Sequence, residues 1–129
     1  GADRLEMKTP QRCNIPIVRP FSRTALQTAA LVIGCLGQTA YECLYYHTPM
    51  LCYGRSAADD VDIWRLISAS RGSLLYGGNM ALESSESFAT SLQTVWEDAG
   101  ARWNMHAVSA GLLDEQGTAR VAEAILKLT

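Results

Sequence analysis

Short apolar runs alternate along the chain with longer segments in which apolar positions recur every three or four residues. The runs at residues 31–35 and 50–53 are apolar at consecutive positions, which is typical of strands covered by helices on both faces. Residues 14–18 and 73–76 predict two more short strands, and Pro16 indicates that the first lies at a sheet edge. The alternation predicts an α/β fold with about four mostly parallel strands, helices on both faces and a helical C-terminus.

Segments with helical spacing lie between and after these strands. The predicted helices cover residues 22–28, 37–47, 59–70, 85–98, 101–113 and 118–128. Thr24 and Gln27 have the spacing of a capping box at the first of them. Thr39 and Glu42 repeat this spacing at the second helix, and Gly72 is placed to end the third.

The late helices and the middle of the chain carry most of the large apolar side chains outside the strands. A stripe in the last helix predicts packing back onto the sheet, and it consists of Ala119, Ala122, Ile125 and Leu126. Two tryptophans on the preceding helices are predicted packing anchors, Trp96 and Trp103. An aromatic group in the middle of the chain suits core packing, a base-stacking wall or an association surface, and comprises Tyr41, Tyr45, Tyr46, Tyr53 and Trp64.

Length and charge limit the classes of protein that remain. The 129 residues, 48% of them hydrophobic, match one globular domain, here residues 14–129 after a flexible lead-in at residues 1–13. The 11 Lys and Arg lie singly among 13 Asp and Glu, which argues against a nucleic-acid partner. The longest apolar run, residues 29–36, is too short for a transmembrane segment, so we expect a cytoplasmic protein.

The metal-ligating and nucleophilic residue types form no recognisable motif. Four cysteines have spacings that match no zinc motif and are expected to be reduced thiols: Cys13, Cys35, Cys43 and Cys52. The two histidines, His47 and His106, have no neighbouring Ser, Cys or Asp pattern that indicates a catalytic triad, so a structural or surface role is expected for each. No catalytic residue is predicted within the chain.

A glycine-rich turn between the first buried strand and the next helix is the strongest candidate site. Gly34, Gly37 and Thr39 lie where free backbone N–H groups and the positive end of a helix favour a phosphate. Glu42 has two possible roles, as the carboxylate of the capping box or as an acceptor for a pair of ribose hydroxyls.

Residues 31–50, LVIGCLGQTAYECLYYHTPM, resemble the C-terminal nucleotide-sugar domain of family 28 of the GT-B glycosyltransferases. The resemblance extends over about residues 15–128 and implies a Rossmann-like domain that binds a UDP-sugar. It places Gly37, Gln38 and Thr39 beside the diphosphate and Glu42 beside the ribose. It also places Arg55 and Asp60, in and after the loop that follows the second buried strand, near the phosphates and the sugar.

The chain departs from the family pattern in charge and in length. Asp59, Asp60 and Asp62 stand where the family has amides, and they would repel a diphosphate unless Arg55 or a divalent cation compensates. Otherwise no cofactor is expected. Two βα units of the family domain are absent, which predicts a truncated sheet and a partner: the N-terminal domain, a second subunit or a second copy in a homodimer.

The function expected from the resemblance is that of the nucleotide-sugar-binding half of a glycosyltransferase. In the family the catalytic base belongs to a separate N-terminal domain, so this chain alone is expected to bind rather than catalyse. Two alternatives stay open at this point. One is a degenerate, non-catalytic assembly module, and the other is half of a nucleotide-sugar hydrolase.

Overall fold

The computed structural model describes residues 22–129, and these form an α/β domain around a three-stranded parallel sheet in the order β1-β2-β3. The elements are α1 (Arg23–Thr28), β1 (Val32–Cys35), α2 (Gln38–Tyr45), β2 (Met50–Gly54), α3 (Asp59–Ala69), β3 (Leu74–Asn79), α4 (Ser85–Glu97), α5 (Ala99–Val108) and α6 (Gly117–Leu126). The predicted fold class is confirmed, with three strands in place of about four. The strand predicted at residues 14–18 and the lead-in at residues 1–13 lie outside the described residues.

The register brings the ends of the three strands to one edge of the sheet. Val32 of β1 pairs with Met50 of β2, and Met50 pairs in turn with Leu74 of β3. The ladder between β2 and β3 is irregular near its end, where Gly54 lies opposite Asn79. β3 continues through Gly77, Gly78 and Asn79, three residues beyond the end of the strand predicted at residues 73–76.

The two faces of the sheet are covered by different helices because side chains alternate along each strand. Met50 and Cys52 of β2 lie in one core with α2, α3 and the single buried residue of α1, Leu26. Leu51 lies on the opposite face, in a core that includes Val95 of α4 and Met105 of α5. Because both faces of β2 are buried, the strand has apolar residues at consecutive positions.

The helix boundaries show where local chemistry differs from the predicted capping. Ser22, not Thr24, caps α1, and its hydroxyl accepts a hydrogen bond from the N–H of Ala25. α3 ends at Ala69, and the left-handed conformation begins at Arg71 (φ 54°), one residue before Gly72 (φ 91°). Both predicted helices are therefore present, but the residues that cap these two helix ends differ from the predicted ones.

α6 contradicts the prediction that its apolar stripe packs on the sheet. Every residue of α6 is exposed, including Ile125 at 57% and Leu126 at 71%. The reason is that α2 and α3 already cover one sheet face while α4 and α5 pack on the other. The predicted packing role of the tryptophans is also wrong, because Trp96 and Trp103 are 57% and 70% exposed.

The expectation of reduced thiols is confirmed for the three cysteines among the described residues. Cys35, Cys43 and Cys52 are free thiols, and the last two are buried, whereas Cys13 lies outside the described residues. Burial raises the pKa of Cys43 to about 12 and that of Cys52 to about 11, so both remain protonated at neutral pH. In residues 22–129 no helix is long and apolar enough to cross a membrane.

Candidate functional site

The candidate site lies at the carboxyl ends of the parallel strands, where loops lead into the helices. Ligands of open α/β sheets collect at this edge because the following helices direct their N-terminal N–H groups toward it. β1 leads into Gly37, β2 ends at Gly54 and leads into Arg55, and β3 ends at Asn79. The site residues predicted from the sequence therefore lie on two adjacent loop-to-helix junctions of the same edge.

The N-terminus of α2 is bare because its cap is a glycine. Gly37 is the N-cap residue, has an extended backbone (φ 170°) and provides no side-chain hydrogen bond to the helix. A Cβ atom built there would meet nothing within 4 Å, so the space in front of this helix end is open. Gln38 is exposed and Thr39 is partly buried in the first turn.

The capping box predicted at Thr39 and Glu42 does not form. α2 starts two residues earlier than that box requires, with Gly37 at the N-cap position and Thr39 inside the helix. Glu42 is half-buried one turn into the helix, and none of the hydrogen bonds or ion pairs among residues 22–129 uses its carboxylate. The structural alternative for Glu42 is therefore removed, and its role toward a ribose stays a prediction.

Two of the three clustered carboxylates are neutralised by arginines at the surface. Asp59 accepts a hydrogen bond from the backbone N–H of Arg55 at 2.8 Å, and the Arg55 Nε atom lies 3.5 Å from the same carboxylate. The N–H bond from Arg55 is the main cause that lowers the pKa of Asp59. Asp62 pairs with Arg65 at 3.5 Å. The acidic run is therefore less repulsive toward a diphosphate than its formal charge suggests.

The third carboxylate, Asp60, belongs to a hydrogen-bond network that we call the strand-end network, formed by Asp60, Tyr76, Asn79 and Ser56. Asp60 Oδ1 accepts from Tyr76 Oη at 2.9 Å and from Asn79 Nδ2 at 2.8 Å. Asn79 Nδ2 also donates to the carbonyl oxygen of Ser56 at 2.7 Å. The network joins α3 to the ends of β2 and β3, which gives Asp60 a structural role. Its predicted contact with a ligand stays a prediction.

The surroundings of the strand-end network are closely packed. Asn79 is 1% exposed, and a Cβ atom at Gly54 would lie 2.6 Å from Asn79 Nδ2 and 3.0 Å from Asp60 Oδ1. Glycine is required at position 54 for this reason, not for its backbone angle. Desolvation, with a smaller contribution from the bond to Asp60, raises the pKa of Tyr76 to about 12. The sequence did not indicate Tyr76 or Asn79, because the network depends on contacts across 16 to 23 positions.

A groove of about 740 Å³ runs between α2 and α3 from the start of α2. Gly37 and Tyr41 line it from the α2 side, and Asp59, Asp62 and Arg65 line it from α3. Its apolar wall consists of Leu36, Leu44, Leu66, Leu112 and Leu113. Of the predicted site residues only Gly37 lines this groove, while Gln38, Thr39, Glu42, Arg55 and Asp60 do not.

Sequence reasoning missed the leucine wall and Arg65. Helical spacing could have indicated part of this lining, since Asp62, Arg65, Leu66 and Ala69 recur every three or four positions and so share one face of α3. The other leucines of the wall lie on different elements and come together only in the fold. In residues 22–129 no group of three or more His, Cys, Asp or Glu side chains is arranged to hold a metal ion.

Comparisons with known proteins give no family assignment. No protein-family model matches the chain, and neither the curated proteins nor the solved structures contain a significant match.

Proposed function

We propose that the chain binds a nucleoside-diphosphate sugar, of the UDP-sugar class, at the carboxyl end of its parallel sheet. In this proposal it is the nucleotide-binding half of a glycosyltransferase, and the acceptor and catalytic base belong to an N-terminal domain or a second subunit. The observation that carries the proposal is the bare N-terminus of α2, which begins at Gly37 directly after β1 and opens into the groove.

The diphosphate has a physically suitable position at this helix end. The first N–H groups of a helix lack intrahelical partners, and the helix dipole places partial positive charge there. Because residue 37 has no side chain, a phosphate oxygen can approach the backbone closely. Arg55, 65% exposed at its side chain, can exchange its ion pair with Asp59 for a phosphate at little cost, since exposed ion pairs contribute only about 0–1 kcal/mol. Asp59 then keeps the hydrogen bond from the backbone N–H of Arg55.

The groove suits the remaining parts of such a ligand. Its volume of about 740 Å³ falls within the range of small-molecule sites. Tyr41, 53% exposed, provides a flat apolar surface on which a base can stack, beside the leucine wall. Glu42 lies outside the groove lining, one turn along α2 and free of the capping box, and it supplies a carboxylate of the kind that accepts from both hydroxyls of a ribose placed beside the groove.

The test is a titration of the ¹⁵N-labelled chain with UDP, UDP-N-acetylglucosamine and GDP, with and without Mg²⁺, followed by NMR. We expect amide shifts at residues 37–42 and a preference for uridine nucleotides. Gly37→Ala should weaken binding at least about tenfold, since its methyl group would fill the space in front of the helix. Gly117→Ala is the matched control, because its methyl group also meets nothing within 4 Å, but at α6.

Glu42→Gln separates the ribose contact from the phosphate contact. It should weaken UDP-N-acetylglucosamine binding while leaving the response to inorganic pyrophosphate unchanged. Shifts that map to another part of the chain, or equal affinity in Gly37→Ala and the wild type, would contradict the proposal. The absence of shifts at millimolar nucleotide would show that this half alone does not bind.

A second candidate is the non-catalytic assembly module, and the exposed apolar face of α6 favours it. Val121 and Ile125 of α6 and Leu128, two residues after the helix ends, recur at helical spacing and are 60%, 57% and 87% exposed. Contiguous exposed apolar side chains of this kind mark association surfaces. Light scattering after size-exclusion chromatography tests this candidate. A dimer that Ile125→Glu converts to a monomer, together with no nucleotide response, would favour assembly over binding.

A further inference from the structure

Helix α6 has an apolar face that nothing in residues 22–129 covers. Val121, Ile125 and Leu128 follow one another at intervals of four and three positions, which places them along one side of α6 and its C-terminal turn. No residue of α6 belongs to either apolar core, and every residue of the helix is exposed. Helices in proteins gain most of their stability by packing such a face against a partner. The partner of this face therefore has to come from outside the described fold.

The groove between α2 and α3 is a second uncovered apolar surface of the same chain. Its leucine wall ends with Leu112 and Leu113, three residues before α6 begins. Leu113 is 38% exposed, and Ala69, which lines the groove at the end of α3, is also exposed. A groove of this kind can receive an amphipathic helix whose residues at positions i, i+4 and i+7 enter it. The apolar face of α6 has that spacing.

The connection before α6 holds the helix out of the groove of its own chain. No residue of α6 lines that groove. The Asp114 carboxylate accepts hydrogen bonds from the backbone N–H of Gln116 at 2.9 Å and from both terminal nitrogens of Arg120 at 2.7–2.8 Å. Between them, Glu115 accepts from Tyr45 Oη of α2. Bidentate pairs between arginine and a carboxylate are strong and directional. Moving α6 into its own groove would break at least one of these contacts, whereas a second copy can supply its helix without breaking any.

We propose that α6 of one copy docks in the groove of a second copy, and that the second copy returns the same contact. Each chain provides one such helix and one such groove, so reciprocal exchange closes the assembly as a symmetric dimer. The charges beside the two surfaces fit this arrangement. Lys127 pairs only with Glu123 within residues 22–129, and Asp62 on the α3 side of the groove offers it a second carboxylate. Exposed ion pairs exchange partners at little cost.

The inference rests on the assembly candidate given above and names the surface that α6 binds. It differs from the pairing of two α6 helices because it makes the groove part of the interface. A nucleotide and α6 would compete for this groove, so we expect the contact in the nucleotide-free chain. Variants of the helix and variants of the groove should then have the same effect on assembly.

The test is light scattering after size-exclusion chromatography of the nucleotide-free full chain, for which we expect the mass of two chains. Ile125→Glu in α6 and Ala69→Glu in the groove each place a carboxylate in the apolar contact and should each give a monomer. The dimer contains each substitution twice, so a tenfold loss per contact raises its dissociation constant about a hundredfold. Trp103→Glu is the matched control and should remain dimeric, because Trp103 is an exposed residue of α5 outside both surfaces.

Mixing the two monomeric variants identifies the contact itself. The Ala69→Glu chain keeps its helix and the Ile125→Glu chain keeps its groove, so they should form a heterodimer through one helix–groove contact. Native mass spectrometry of chains with different isotope labels detects this species, and its formation also shows that both variants are folded.

Three results would overturn the proposal. Absence of the heterodimer would show that the helix does not bind the groove. A dimer that persists in Ala69→Glu but not in Ile125→Glu would show that two α6 helices pair with each other, which leaves the assembly candidate in place. A wild-type chain that stays monomeric up to millimolar concentration would contradict the helix–groove contact and the assembly candidate together.

Discussion

Replacing Tyr76 by Phe tests the strand-end network with a single atom. The substitution removes the hydroxyl that donates to Asp60 Oδ1 at 2.9 Å and keeps the ring. The ring contact with Trp64, at a centroid distance of 5.0 Å, therefore remains, and no cavity forms in its place. Any loss of stability can then be assigned to the hydrogen bond and not to packing.

The expected loss of stability depends on the hydrogen bonds that Asp60 retains in the variant. Hydrogen bonds to charged groups contribute about 1.5–3 kcal/mol. Asp60 Oδ1 keeps the bond from Asn79 at 2.8 Å, and the carboxylate is only partly buried, so the lower end of that range applies. We expect the free energy of unfolding to fall by about 1.5 kcal/mol, and the Tm by about 6 °C for a chain of this size.

A pH series tests the burial of Tyr76 together with its bond to Asp60, because desolvation raises the pKa of Tyr76 more than that bond does. The pKa of Tyr76 is raised from 10.0 to about 12, so the folded chain holds this proton more tightly than the unfolded chain does. The resulting stability is fully present below pH 10 and is lost as the pH rises through about 12. Between about pH 10 and pH 12 the stability of the wild type should therefore fall more steeply than that of Tyr76→Phe.

The assay is urea unfolding followed by far-ultraviolet circular dichroism at each pH. Tyr41→Phe is the matched control, because Tyr41 is 53% exposed and should change the free energy of unfolding by less than about 0.5 kcal/mol. If Tyr76→Phe and Tyr41→Phe unfold at the same urea concentration and with the same pH dependence, the strand-end network does not stabilise the fold.

Three further predictions concern thiols, a glycine and a helix cap. An alkylating reagent should modify Cys35 in the native chain but modify Cys43 and Cys52 only after unfolding, as measured by mass spectrometry. The reason is that burial raises the pKa of Cys43 to about 12 and that of Cys52 to about 11. Equal alkylation rates for the three thiols would show that the core is open to the reagent. Gly54→Ala should lower the free energy of unfolding by about 3 kcal/mol, because its Cβ would lie 2.6 Å from the amide nitrogen of the strand-end network; a wild-type Tm would show that the network is absent. Ser84→Ala removes the hydroxyl that caps α4 and should cost about 1 kcal/mol in urea unfolding, and no change would mean that water replaces the cap.

Local patterns determined the fold class and most of the elements. The consecutive apolar residues of β2 occupy both faces of the strand, and alternation of side chains is a property of the strand itself. The position of α2 between β1 and β2 likewise follows from helical spacing and from Pro49, which cannot continue a helix. These predictions are correct because strand alternation and helical spacing depend only on residues that are close together in the chain.

Packing among distant elements decided the rest. An apolar stripe predicts that α6 needs a partner, but whether one is present depends on how α2 to α5 cover the sheet, and they leave α6 exposed. The N-cap of α2 is Gly37, two residues before the predicted cap at Thr39. Capping spacing alone does not contain that information.

The candidate functional residues also differ in whether the sequence alone could indicate them. The glycine turn before α2 was visible in the sequence because a phosphate-binding helix end needs only adjacent residues. The pairing of Asp60 with Tyr76 spans 16 positions, so no spacing rule indicated it. Residues far apart in the chain become neighbours only when the strands pair in register and the helices cover them, and that arrangement is a property of the folded chain as a whole.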